Sequence, residues 1–252
     1  MKKPNLLLVP FFLSLTLLTP AQADTSAPTA ASAAETSYSS TAGRIIDGTR
    51  SYAPNVVQVR FTQDGQNAEC SGSLISKDWV LTARHCADPR EGISNVAVHT
   101  GTTKEFPGRA NKAASVHISP SGDVALIKLS TPISHIAPVT LADSYSPRSG
   151  QKGTIIGFGN RADSRYSWYQ YKATNQVIGS GIDLYGGRAV HLEGVDGAAN
   201  HGDSGGPLVI DGLVVGVCSM GDVADPGADT HATSYYANIA AHRSWVKQVA
   251  GV

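Results

Sequence analysis

A chain of 252 residues with 41% hydrophobic and only 16% charged side chains can bury a core, which excludes a disordered polymer and leaves room for one or two domains. Twenty Lys and Arg balance twenty Asp and Glu, so no global field selects nucleic acid or an anionic membrane as a partner. Twenty-six Gly and thirteen Pro with 7% aromatic residues suit many short strands joined by turns better than a helical bundle.

The chain opens with Lys2 and Lys3, an apolar run from Leu6 to Leu18, and the small-residue site Ala21-Gln22-Ala23. This is the pattern of a signal peptide over residues 1–23. The run falls short of the ~20 residues a membrane span needs, and Pro10 interrupts it. A secreted, extracellular product with no membrane anchor is expected, in a compartment where disulfides persist. From Asp24 to about Ala42 the composition turns to Ala, Ser and Thr, which cannot build a core. The segment ends in Gly43-Arg44, after which Ile45-Ile46-Asp47-Gly48 starts the apolar patterning abruptly. A flexible stretch ending in a basic residue is what a processing protease would cut, and a plain linker is the alternative.

Short runs rich in β-branched residues follow one another: Val56 to Phe61, Ser73 to Ile75, Trp79 to Thr82, Val96 to His99, Val124 to Leu129, Thr154 to Ile156, Gln176 to Ile178 and Ala189 to Leu192. Asp211-Gly212 between Pro207–Ile210 and Leu213–Val215 predicts a tight hairpin. Ile239, Trp245, Val246 and Val249, followed by Gly251, fall at helical spacing. An all-β architecture closed into barrels and finished by one helix fits these signals. The cysteines are Cys70, Cys86 and Cys218. Cys70 and Cys86 flank two strand-like runs that a hairpin would bring together, so they are the expected disulfide; Cys218, in an apolar run, is expected to be a buried free thiol.

Three local patterns carry chemistry. They are Leu81-Thr82-Ala83-Arg84-His85-Cys86, then Asp123-Val124-Ala125-Leu126-Ile127-Lys128-Leu129, then Gly202-Asp203-Ser204-Gly205-Gly206-Pro207. They resemble the His, Asp and Ser boxes of the chymotrypsin/trypsin family, in that family's order. Smaller echoes are Ile45-Ile46-Asp47-Gly48, Gly157-Phe158-Gly159, Ser219-Met220-Gly221 with Met where Trp is usual, and Tyr236 through Lys247. The resemblance implies two six-stranded antiparallel β-barrels with a C-terminal α-helix over residues 45–252, behind a propeptide at 24–44. It also implies a monomeric serine endopeptidase acting on protein or peptide substrates, without cofactor or metal.

A serine hydroxyl is a poor nucleophile at neutral pH, so an adjacent base must take its proton. The resemblance gives His85 that role, Ser204 the nucleophile's, and Asp123 the task of orienting the imidazole. It gives the backbone N–H groups of Gly202 and Ser204 the oxyanion hole. It also implies that cleavage after Arg44 frees the α-ammonium of Ile45 to pair with Asp203; for Asp203 a turn residue capping its own backbone is the plainer alternative. Ala198, Ser219 and Gly221 are implied as substrate-binding, with Ala198 at the base of the primary pocket where a trypsin carries Asp.

Ala198 and Ala199 leave the floor apolar, which suits a neutral side chain and makes a separate activating protease the expected partner for cleavage at Arg44. Asp222, Asp225 or Asp229 bending into the pocket would change that, and His201 at its rim could favour an acidic side chain. Arg84 stands where the family commonly has Ala. Two other functions compete. Gly202-Asp203-Ser204-Gly205-Gly206 also satisfies the nucleophile-elbow pattern of α/β-hydrolases, but those enzymes place Ser before the acid and His and follow it with a helix. A non-catalytic binding protein on a protease fold is the other, although none of the three boxes has lost its reactive residue. The histidines at 99, 117, 135, 191, 231 and 242 have no paired metal-ligand spacing.

Overall fold

The computed structural model describes residues 45–252, so the expected signal peptide at 1–23, the propeptide at 24–44 and Arg44 lie outside the described residues. Six strands form the first barrel: β2 (Val56–Gln63), β3 (Gln66–Ser76), β4 (Trp79–Thr82), β5 (Ile93–His99), β6 (Asn111–Ile118) and β7 (Ala125–Leu129) close in the order β2-β3-β4-β7-β6-β5. The second uses β8 (Lys152–Gly157), β9 (Tyr171–Ile182), β10 (Arg188–Gly194), β11 (Pro207–Ile210), β12 (Leu213–Gly221) and β13 (Thr233–Asn238). There β8 pairs with both β11 and β9 and closes the ring, while the two-residue β1 (Thr49–Arg50) lines the outer edge of β9. Every pairing between these strands is antiparallel, as the expectation of two six-stranded barrels required.

The period of two decides which side chains enter the core. In β2, Val57, Val59 and Phe61 point into the first barrel, and the interleaved Gln58 is buried on the other face, donating to the carbonyls of Gly101 and Thr103. The first core continues through Val214, Val217, Ala237 and Val246 and so runs into the second half of the chain. The second core gathers Ile45, Ile155, Tyr171, Val190, Leu192, Leu208 and Tyr236. The Asp211-Gly212 hairpin forms as expected, with both turn residues at positive φ (51° and 77°). Helix α1 (Arg243–Ala250) buries Val246. Ile239 belongs instead to a 3-10 turn at Ile239–Ala241, because the Asn238 side chain accepts from the Ala240 N–H and tightens the chain there. Among the described residues no helix is long and apolar enough to cross a membrane.

The disulfide joins Cys70 and Cys86, and Cys218 is a buried free thiol. It ties β3 to the turn that carries His85.

Candidate active site

His85 lies in a 3-10 turn, Arg84–Cys86, directly after β4, and Asp123 lies just before β7. Antiparallel pairing of Thr82 with Ala125 brings these two strand ends together. The His85 Nδ1 is 2.7 Å from Asp123 Oδ2, and the His85 backbone N–H donates to Asp123 Oδ1 at 3.0 Å. Ser219, from β12 of the other barrel, donates its hydroxyl to the same Oδ2 at 2.7 Å. Asp123 is fully buried; three donors offset the desolvation of its charge. With Nδ1 facing the carboxylate, the proton-accepting position of the imidazole is Nε2.

Ser204 comes from the tight loop before β11. That loop is stitched to the first barrel by Ser71 of β3, whose N–H donates to the Ser204 carbonyl at 2.8 Å. The Ser71 hydroxyl donates to the Gly202 carbonyl and accepts from the Phe158 N–H, each at 2.9 Å. His85 and Ser204 line one cavity of about 280 Å³. No hydrogen bond joins them among the described residues; such catalytic bonds commonly tighten only when substrate is bound. Gly202 has φ 94°, and a Cβ there would stand 3.2 Å from the Gly159 Cα, so glycine meets both demands at once. The N–H groups of Gly202 and Ser204 donate to no acceptor among the described residues. Two free donors beside a serine oxygen are what a developing oxyanion requires.

Asp203 is turned away from the cavity and buried, accepting from the N–H groups of Asn200 (2.9 Å) and Gly159 (2.7 Å). Burial pushes its carboxyl up to about 6, with those two amides opposing. The Gly157-Phe158-Gly159 turn is glycine-flanked because a Cβ at residue 159 would lie 2.2 Å from the Asp203 Oδ2. Ile45 and Ile46 are also fully buried, and Ile46 pairs with Ala198, which sets the start of the described chain beside the segment leading to Asp203.

The cavity wall combines Ala199, Asn200, Met220, Val223, Ala224 and Pro226 with Gly221 and Ser219. Ala198, expected at the base, does not reach this surface: it is fully buried, its backbone pairs with Ile46, and its methyl packs with Ile46 and Ala232. Its neighbour Ala199, expected beside it on the apolar floor, does line the cavity. None of the three loop carboxylates lines it either. Asp222 pairs with His191 Nε2 at 3.1 Å, Asp225 accepts from Ser164 and Gly227, and Asp229 accepts from the His231 N–H. His201 is at the rim, its Nε2 2.7 Å from the Ala224 carbonyl, so that nitrogen carries the proton and ties the two walls together. Beyond Cys218, β12 is paired on the β13 side, leaving the other backbone edge of Ser219–Gly221 open at the cavity for an extended peptide. The cluster of potential metal ligands among the described residues, Cys70, His85 and Cys86, has both sulfurs consumed in the disulfide.

Several neighbours were invisible to sequence reasoning. Asp183 is buried behind Asp123, and Arg84 stacks its guanidinium 4.1 Å above the Tyr185 ring while pairing with Asp88 at 3.0 Å. No local motif marks Asp183 or the stacking of Arg84 on Tyr185, since Asp183 and Tyr185 come from a distant stretch of chain; the Arg84–Asp88 pair is an i,i+4 neighbour.

Residues 45–246 match the family model described as trypsin. An uncharacterized peptidase of Corynebacterium glutamicum (strain R) is 28% identical over 223 residues, covering 82% of this chain and 72% of its own. Trypsin iota of Drosophila melanogaster is 29% identical over 229 residues, covering 82% of this chain and 89% of its own. Among solved structures, neuropsin, a serine protease expressed in the limbic system of mouse brain, superposes with a TM-score of 0.67 at 25% identity. That match covers 81% of this chain and 99% of neuropsin.

Proposed function

Because the chain belongs to the trypsin family of serine endopeptidases, we propose that it hydrolyses peptide bonds with Ser204 as nucleophile, His85 as base and Asp123 as the orienting acid. The observation that carries this reading is the buried Asp123 carboxylate set 2.7 Å from His85 Nδ1, with Nε2 left for a cavity that Ser204 shares. The Ser204 Oγ attacks the scissile carbonyl while His85 Nε2 takes its proton, and Asp123 stabilises the imidazolium. The carbonyl oxygen becomes an oxyanion held by the Gly202 and Ser204 N–H groups. His85 then hands its proton to the leaving amine. Water repeats the sequence on the acyl-enzyme and frees Ser204.

The same reading makes residues 1–23 a secretion signal and 24–44 a propeptide removed after Arg44. The new ammonium of Ile45 pairs with Asp203 and orders the oxyanion turn. With Ala199, Val223, Ala224 and Pro226 in the cavity wall and no Asp or Glu among the described residues that line it, the substrate side chain before the scissile bond is neutral.

A serine-directed phosphonate tests the assignment. The form beginning at Ile45 is expected to be labelled on Ser204, located by peptide mass spectrometry, and the precursor and the Ser204→Ala variant to remain unlabelled. Absence of labelling in both wild-type forms, or peptide hydrolysis by Ser204→Ala, contradicts it.

A further inference from the structure

His85 and Asp123 belong to the first barrel, yet one loop of the second barrel grips them from behind. It runs from Asp183 to Gly187 between β9 and β10. Asp183 is 2% exposed. Its Oδ1 accepts the N–H groups of Tyr185 (3.0 Å) and Gly187 (2.8 Å), which folds the loop on itself. Its Oδ2 accepts the backbone N–H of Asp123 at 2.9 Å. The next residue, Leu184, donates its N–H to Ser219 Oγ at 3.1 Å, so the Ser219 proton is free to go to Asp123 Oδ2. The third, Tyr185, places its ring under Arg84 and bonds its hydroxyl to Glu91. Three consecutive residues thus hold the Asp123 backbone, the hydroxyl on its carboxylate, and the side chain beside His85.

This arrangement is costly for a purely structural loop. Two carboxylates, Asp123 and Asp183, are buried in adjacent positions, where like charges repel and each has lost water. The charged and titratable groups around the loop are Asp123, Arg84 and Glu91 from the first barrel, with Arg188 from the second and His242 from the turn before α1. His242 is kept neutral by burial, which lowers its pKa; its Nδ1 meets Ser119 Oγ at 2.8 Å. The approach of Asp183 also requires a bare backbone in front of the catalytic acid: a Cβ on Gly122 would stand 2.5 Å from Asp183 Oδ2.

We propose that Asp183 is a positioning residue for the reaction, a carboxylate from the second barrel that fixes the backbone of Asp123 and thereby the imidazole of His85. The inference rests on the proposed function above. It also gives Arg84 a role: the guanidinium closes the far side of the bracket by stacking on Tyr185.

Asp183→Asn tests it in the processed enzyme. The amide retains one oxygen for the loop's own N–H groups and sets an NH2 against the Asp123 N–H. With folding checked by thermal unfolding, kcat on a neutral-residue peptide is expected to fall about tenfold with KM within about twofold. The acid limb of the kcat profile should move to lower pH, because one buried negative charge that favours the imidazolium is gone. A variant with wild-type kcat and acid limb, or one in which KM rises alone, overturns the proposal. Gly122→Ala is the second probe: it displaces the carboxylate without removing its charge, so kcat should fall while the acid limb moves less, and an unchanged kcat contradicts the role. Wild-type enzyme assayed alongside separates two failures. An inactive wild type contradicts the proposed function, whereas an active wild type matched by Asp183→Asn contradicts the positioning role alone.

Discussion

Asp203 sits in the interior with its carboxyl pushed up to about 6 from the usual 3.8, and burial is the largest cause. A folded-state value above the unfolded one means that, between about pH 4 and 6, the folded precursor holds a proton the unfolded chain has released. Stability from this group is therefore complete at the acid end of that window and declines as pH rises through it. Two pK units correspond to on the order of 3 kcal/mol. Thermal unfolding of the Ser204→Ala precursor from pH 4 to 7 should show Tm falling with pH, and the added Asp203→Asn change should remove most of that slope. If, as proposed, the Ile45 ammonium of the processed form pairs with Asp203, the carboxylate is ionised again and the slope should flatten. Equal slopes for the precursor with and without Asp203 would rule this out. At this scale the three boxes were legible because each packs its chemistry into a few consecutive residues. Asp183 was not, because its bond to Asp123 spans 60 residues. Ala198 was misplaced for a related reason: counting back from Ser204 gives a position in the chain, whereas pairing with Ile46 decides which way that position faces.

Elements were legible where turn chemistry or alternation was local. Asp211 and Gly212 announced their hairpin, and Trp79–Thr82 matches β4 residue for residue. Strand β6 escaped notice because its residues Asn111–Ile118 are largely exposed or half-buried and so carry little apolar alternation. Long β9 showed only through its middle: its C-terminal end from Ser180 leaves the core, and at its N-terminal end the buried positions after Tyr171 are Ala173 and Asn175, which give little apolar alternation. The hairpin offers a clean measurement of backbone strain. Gly212 has φ 77° and a Cβ there would meet nothing within 4 Å, so Gly212→Ala pays only the left-handed conformational cost. That is about 1 kcal/mol, or a Tm lower by roughly 2–4 °C for a domain of this size. The turn is exposed and outside the cavity, so kcat/KM should be unchanged. A Tm equal to wild type would mean that the turn relaxes to another geometry.

For the whole molecule, the proposed mechanism divides its parts between two barrels: His85 and Asp123 come from the first and Ser204 from the second. The segment leading to Asp203 pairs with the start of the described chain through Ala198 and Ile46, which is where the proposed processing would act. Whether the protein can process itself then depends on the cavity. An arginine side chain entering it would leave water without meeting a carboxylate, since Asp222, Asp225 and Asp229 are engaged elsewhere and none lines the wall. Burying an unpaired cation costs several kcal/mol, and each 1.4 kcal/mol is about a tenfold loss in rate. Purified precursor incubated alone should therefore remain uncut at Arg44, while a trace of an Arg-specific protease should generate the Ile45 terminus and activity together. On a peptide library the processed enzyme should prefer aliphatic or other neutral residues before the scissile bond and cut after Arg or Lys at least about a hundredfold more slowly. N-terminal sequencing of the incubated precursor decides between the two routes: an Ile45 terminus that accumulates without added protease, and that Ser204→Ala abolishes, would show that some acid does reach the bound cation.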